Sequence, residues 1–208
     1  TQMQSVFGIN MVALVDGQPK LLNLKEILEC FIRHRREVVT RRSVYELRKA
    51  REKAHLQEGL AVALANIDKV IELIKQSPNP AEAKTKLVAK AWQPGDVITL
   101  LERAGASSSR PDDLTENYGL CDDGYYLSPA QAQAILEMRL HRLTGLEQDK
   151  IFGEYEELLE KITDLIDILS STERLLEVIR DELLEIKEKF GDERRTEIIA
   201  ERLDLTLE

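Results

Sequence analysis

The sequence predicts a mainly α protein: a long antiparallel coiled-coil arm, a small helical globular domain at its tip and a short N-terminal β-hairpin. Three observations carry that prediction. The prolines fall at 19, 78, 80, 94, 111 and 129, which leaves 20–77 and 130–208 free of the residue that breaks helices. From Ile151 to Phe190 the apolar residues recur with alternating spacings of three and four, the signature of a helix that shows one seam to a partner. Finally, only 5% of the 208 residues are aromatic while 43% are hydrophobic, so a single core would rest on Leu, Ile, Val and Ala, and an elongated helical protein fits better.

The elements follow in order. Asn10 to Val15, then Asp16-Gly17-Gln18-Pro19, then Lys20 to Leu22 reads as a β-hairpin with an Asp-Gly turn. Asn23 caps the next helix, with Glu26 at the capping-box position. That helix is expected to run to about Gln76, on the order of 75 Å at 1.5 Å per residue, with Leu60, Leu64, Ile67, Ile71 and Ile74 as its far seam. Residues 77–150 hold three shorter helices: one after Pro80, one from Pro94 through Ala104, and one started by Ser128, Pro129 and Gln131. The stretch 104–126, rich in Ser, Asp, Pro and Gly, reads as loops and short extended pieces.

The third of these helices, expected to reach Leu143, is apolar over too wide an arc for one buried stripe. A second copy of the chain is the expected occupant of its spare face. The returning arm takes its seam from Ile151, Tyr155, Leu158, Ile162, Leu165, Leu169, Thr172, Leu176, Ile179, Leu183, Ile186 and Phe190; eleven of the twelve are apolar. Ser170-Ser171-Thr172-Glu173 reads as a capping box that interrupts the helix, and Gly191 as its C-terminal cap. The divisions are therefore 1–23, 24–76, 77–150, 151–191 and a tail at 192–208.

Charge and composition exclude some functions. The net charge is −9, which opposes non-specific adhesion to nucleic acid over the whole surface. No stretch approaches the roughly 20 apolar residues needed to span a bilayer. Thr1, without an initiator Met or an apolar h-region, reads as a cut inside a longer protein. Cys30 and Cys121 stand 91 positions apart without CxxC or His-rich companions, which fits packing thiols in a reducing compartment.

Locally the balance reverses. Between Arg33 and Lys53 nine basic residues meet three acids. If the arms pair with Ile151 near Ile74, this stretch lies beside 172–192, where Glu173, Glu177, Asp181, Glu182, Glu185, Glu188 and Asp192 offer intramolecular partners. Phosphate contact by Arg33, Arg35 and Arg36 is the alternative.

The residues that could carry catalysis stand apart from one another. His34, His55 and His141 lack metal-binding spacing and read as solvated or packing residues. There is no GxSxG, Gly-rich phosphate loop or Walker A lysine. Asp112-Asp113 and Asp122-Asp123 sit in turns and read as turn chemistry. No tyrosine has an activating neighbour in sequence; Tyr155 belongs to the seam, Tyr125-Tyr126 to a packing edge, and Trp92 to the core of the tip.

Several stretches taken together carry a resemblance: Phe7 to Leu14, Arg33 to Arg42, Gln133 to Leu140, Leu143-Thr144-Gly145-Leu146-Glu147, and Phe190 to Thr196. They resemble, in order along nearly the whole chain, the DNA breakage-reunion subunit of the bacterial type IIA topoisomerases, the gyrase and topoisomerase IV family, and the gyrase branch more closely. The resemblance implies the end of a tower, an outgoing coiled-coil helix, a tip domain that dimerises as an exit gate, and a returning helix. It places the catalytic tyrosine upstream of this chain, and ATP and Mg2+ on the gyrase B-type subunit, so that no catalytic, cofactor or metal residue is expected here. The implied partners are a second copy at the tip, the B-type subunit, and double-stranded DNA, in the bacterial cytoplasm. Ala134, Ile135, Met138, Arg139 and Leu143 are the expected dimer contacts, and Gly59, Ser170 and Ser171 the expected hinges.

Overall fold

The computed structural model describes residues 7–95, 98–99, 109–139 and 145–198. Strand β1 (Val12–Val15) pairs antiparallel with β2 (Gln18–Leu21) in a register that sets Val15 opposite Gln18. Asp16 and Gly17 alone form the turn, both with positive φ (54° and 76°), as a two-residue hairpin loop demands. Pro19 thus lies within β2, where a two-stranded ribbon leaves it an edge position.

Helix α1 (Leu24–Ala65) starts with the expected capping box: Glu26 N–H donates to Asn23 Oδ1 at 2.9 Å, and Asn23 N–H to Glu26 Oε2 at 2.8 Å. It ends at Ala65, before Ile67, Ile71 and Ile74 of the predicted seam. Asn66 leaves the helical region (φ −120°, ψ 28°), and its buried Nδ2 donates to Val62 O at 2.9 Å and to Gln93 O at 2.6 Å. The break redirects the chain into α2 (Ile67–Lys75), which packs on α3 (Pro80–Ala89) inside the tip. Asn79 caps α3, accepting from Glu82 N–H at 2.8 Å.

The last turns of α1 are not a coiled-coil seam. Glu58 through Leu64 are all buried, so the helix is enclosed on every side and forms the axis of the tip core. Small and β-branched residues at Ala61, Val62 and Ala63 permit that all-round packing. Around this axis stand Leu87, Trp92, Tyr125, Leu127, Ala132 and Ile135. Trp92 anchors as expected, its Nε1–H donating to Leu87 O at 2.9 Å. A three-stranded antiparallel sheet, β3 (Ala91–Trp92), β5 (Gly124–Tyr126) and β4 (Gly119–Cys121) in that spatial order, closes one side. The extended pieces of 104–126 thus become a sheet.

Helix α4 (Pro129–Leu136) begins with the predicted capping box at Ser128 and ends at Leu136, about two turns short of Leu143. The expected helix over 94–104 lies largely outside the described residues, as does Leu143. The returning arm is two helices, α5 (Gly145–Ser170) and α6 (Thr172–Phe190), separated by Ser171. Ser171 is the N-cap, accepting from Arg174 N–H at 3.2 Å, so the interruption is real but shifted one residue from the predicted box.

The heptad seam holds as far as Leu165 and then departs. Leu176 is 41% exposed and Phe190 77%, whereas Leu175 and Ile179 join Val39 and Ile168 in a second buried cluster. The seam slips by one residue at Ile168, before the break, and at Leu175 after it, while Ile179 and Leu183 of the predicted seam pack in the same cluster. Gly191 caps α6 with φ −68°; its N–H donates to Lys187 O at 2.8 Å, and a Cβ would meet that oxygen at 2.4 Å. Close approach, not left-handed geometry, selects the glycine.

Candidate gate surface and the polar hub behind it

The C-terminal end of α4 opens onto a groove of about 900 Å³ between α1 and α5. Leu56, Leu60, Ala134, Met138 and Leu158 give it an apolar floor, and Lys53, Glu137, Arg139, Glu154, Glu157 and Lys161 a charged rim. Three predicted contact residues therefore share one surface: Ala134 and Met138 half-buried, Arg139 exposed. Ile135 does not. It is 3% exposed and packs into the chain's own core, because α4 turns that face inward onto α1. A substitution at Ile135 consequently reports on folding, whereas Met138 and Arg139 reach the surface.

Behind the groove lies a buried polar hub that fastens α4, β5 and α5 to α1. Gln131 is its centre. Its Nε2 donates to His55 O at 2.7 Å and to Tyr125 Oη at 2.8 Å, and lies 3.2 Å from His55 Nδ1. Tyr125 Oη donates to Glu58 Oε1 at 2.6 Å, and Tyr155 Oη to Glu58 Oε2 at 3.2 Å. His55 Nε2 lies 2.8 Å from Ser128 Oγ.

Burial and the nearby Arg110 guanidinium hold His55 neutral, its pKa pushed down to about 4. Burial pushes Glu58 up, against the two tyrosine hydroxyls and Arg110, which favour its charged form. Burial also pushes Tyr125 and Tyr155 well above the usual phenol range, with Glu58 adding to it, so both remain hydrogen-bond donors. The hub's members are 0 to 7% exposed, and their hydrogen bonds fasten three elements to α1.

Along the arm, the basic stretch spends much of its charge internally. Arg35 and Arg42 both donate to Glu182 of α6. Arg41 pairs with Glu37, Arg48 and Lys49 with Glu52, Arg33 with Asp16 at 3.6 Å, and Arg51 with Asp112 at 2.7 Å. Intramolecular pairing is thus present, though of the seven acids expected opposite only Glu182 takes part among the described residues, and Lys161 of α5 meets Glu46 at 3.1 Å. The register differs from the predicted one because α1 ends at Ala65, which brings α5 alongside residues near Gln57 instead of Ile74; Gln57 Nε2 donates to Glu154 at 2.7 Å. Arg36 is exposed.

Of the hinge candidates, Ser170 ends α5 and Ser171 is the one extended residue between the helices. Gly59 is inside continuous helix, pressed against Gln131.

A family model for the A subunit of DNA gyrase and topoisomerase IV matches residues 1–184. The chain belongs to this family. The gyrase A subunit of Pseudomonas aeruginosa is 66% identical over 207 residues, that of Escherichia coli K12 60% over 208, and that of Haemophilus influenzae 59% over 209; each match covers the whole of this chain. The chain spans only 22 to 24% of the length of those gyrase subunits.

Within this member of the gyrase and topoisomerase IV family, sequence reasoning missed the hub because its members are isolated polar residues on several elements. A trace was present: Gln131 doubles as the capping-box residue, its Oε1 accepting from Ser128 N–H at 2.9 Å. The cap fixes the side chain whose amide then serves the hub.

Proposed function

We propose that this chain is the arm and tip of the DNA breakage-reunion subunit of a bacterial gyrase, and that its tip forms one half of an exit gate. The observation that carries the reading is the 66% identity to a gyrase A subunit over the full chain. In this reading two copies meet through the tip, a duplex that has crossed a transient double-strand break leaves between them, and the paired tips hold the subunits together while DNA is cut. The groove edge at Ala134, Met138 and Arg139 supplies the contact together with Leu143. Its mixed apolar and charged make-up suits a reversible interface.

The arms bend to open the gate, with Ser170 and Ser171 as the bending point; bending at Gly59 would have to part it from Gln131. Breakage chemistry, ATP hydrolysis and Mg2+ belong elsewhere in the parent assembly, the last two on the gyrase B subunit, and this span by itself is inactive. Of Arg33, Arg35 and Arg36, the exposed Arg36 is the candidate phosphate contact, since Arg33 and Arg35 already pair with Asp16 and Glu182. The parent works in the cytoplasm on double-stranded DNA. No helix among the described residues is long and apolar enough to cross a membrane.

Sedimentation velocity of the 208-residue chain over a concentration series tests the gate. The expected species is an elongated dimer near twice 23.7 kDa, converted to monomer by Met138→Asp or Arg139→Glu without loss of helix. A monomer at every concentration removes the tip as a self-sufficient gate. Placed in the parent subunit, the same variants should lower ATP-dependent supercoiling; greater loss of decatenation than of supercoiling would point to topoisomerase IV.

A further inference from the structure

We propose that Arg174 is an ionic brace that sets the angle of the returning arm at Ser171, and that its release frees the joint. The proposal rests on the reading of Ser171 as a bending point. Ser171 is a single extended residue, φ −117° and ψ 120°, between α5 and α6. Arg174, in the first turn of α6, reaches back across it. Nη2 lies 3.1 Å from Asp164 Oδ1 and Nε 3.8 Å from Asp167 Oδ2, both on α5, while Nη1 lies 3.2 Å from Glu177 Oε2 on α6.

Geometry ties these contacts to the bend. In an unbroken helix, residues ten apart are separated by about 15 Å along the axis and about a quarter turn around it. That is beyond the combined reach of an arginine and an aspartate. The contact between Arg174 and Asp164 therefore requires the bend at Ser171, and straightening the joint must break it.

Helix dipoles give a second, independent reason. Asp164 and Asp167 stand in the last turns of α5, where the macrodipole disfavours anions and where the final turn has no basic residue. Arg174 stands at the N-terminus of α6, where the dipole disfavours a cation. Each charge is misplaced on its own helix, and each is compensated by the other across the joint.

The brace is built to yield. Arg174 is 34% exposed and its partners more than half, and exposed ion pairs shift an equilibrium by factors of about two to five each. Beneath it Val39, Ile168, Leu175 and Ile179 keep the two helices against α1. Apolar packing retains the arm while the brace selects its angle.

Spin labels at Glu160→Cys and Arg180→Cys, in the 208-residue chain with Cys30→Ser and Cys121→Ser, report the joint by pulsed dipolar spectroscopy over about 30 Å. At low salt the distance distribution should be narrow. It should broaden at least about twofold in Arg174→Gln, and likewise in about 1 M salt, where the screening length falls to about 3 Å. Reversing the brace with Arg174→Glu, Asp164→Lys, Asp167→Lys and Glu177→Lys should restore the narrow distribution, which no loss of packing would do. A distribution as narrow in Arg174→Gln as in the parent overturns the brace. Amide exchange at Ser171 to Leu175 separates that failure from failure of the bend: rapid, salt-independent exchange leaves the joint and removes the brace, whereas exchange as slow as in the middle of α5 removes the joint itself.

Discussion

Gly59 of α1 faces Gln131 of α4 so closely that a Cβ on the glycine would lie 2.5 Å from Gln131 Cγ and 2.7 Å from its Cβ. Those atoms sit near the root of a side chain held by the hub and cannot swing aside cheaply. A glycine that looks like a weak point in the helix is thus what allows α4 to dock.

Gly59→Ala should therefore destabilise the chain. Helix propensity favours alanine by about 1 kcal/mol, but overpacking costs about 1–3 kcal/mol and also displaces the hub. Urea unfolding followed by circular dichroism should give a lower midpoint; an unchanged or higher midpoint would mean that Gln131 moves freely.

His55 makes stability depend on pH with a definite sign. The unfolded histidine takes up a proton near its ordinary pKa of 6.5, whereas the folded one resists until about 4. The unfolded state thus binds more protons between those values, and the stability due to His55, complete above about pH 6.5, is lost as pH falls through about 4, on the order of 3 kcal/mol. Glu58, shifted upward by burial, contributes in the opposite sense. Unfolding of the parent and of His55→Gln at several pH values isolates the histidine: their difference should shrink on acidification, and NMR should show the His55 ring titrating far below its ordinary value.

Asn66→Ala removes the anchor at the end of α1. It removes the 2.6 Å donor to Gln93 O, and because Gln93 is an exposed residue whose carbonyl water can reach, the loss is that of one net hydrogen bond, about 0.5–1.5 kcal/mol. Alanine would also encourage α1 to run on into α2. A lower urea midpoint with unchanged or slightly increased helix content is expected, and no change in midpoint would remove Asn66 as an anchor.

Glu182→Gln removes the charge shared by Arg35 and Arg42 and one of the two oxygens that accept from them, and Arg35 Nε is already a buried donor without a partner. The expected loss is about 1 kcal/mol at low ionic strength, disappearing in about 1 M salt. An equal loss at both salt concentrations would assign the effect to packing.

Periodic and capping signals carried into the fold with little change. The capping boxes at Asn23 and Ser128, the Asp-Gly turn, the interruption at Ser171 and the two long helical runs were legible because each depends on residues within a turn or two of one another. The end of the outgoing helix was not. Nothing local distinguishes Asn66 from a tolerated asparagine; its role depends on Gln93 O, brought near by the fold. The same reason hid the inward face of Ile135 and the hub, whose polar groups find each other only after α1, β5, α4 and α5 are packed. A strict seven-residue repeat placed Leu169 and Leu176 where Ile168 and Leu175 pack, although its Ile179 and Leu183 join the same cluster.

The length of the outgoing arm is constrained more tightly than a strut requires. Each residue added to a helix turns everything beyond it by about 100°. One insertion between Leu24 and Ala54 would either rotate the base of the arm by nearly a third of a turn against the tip or pull His55 and Glu58 away from Ser128, Tyr125 and Tyr155. The outgoing helix can change length over evolution only in near-whole turns, while the non-helical step at Ser171 lets the returning half absorb a single residue.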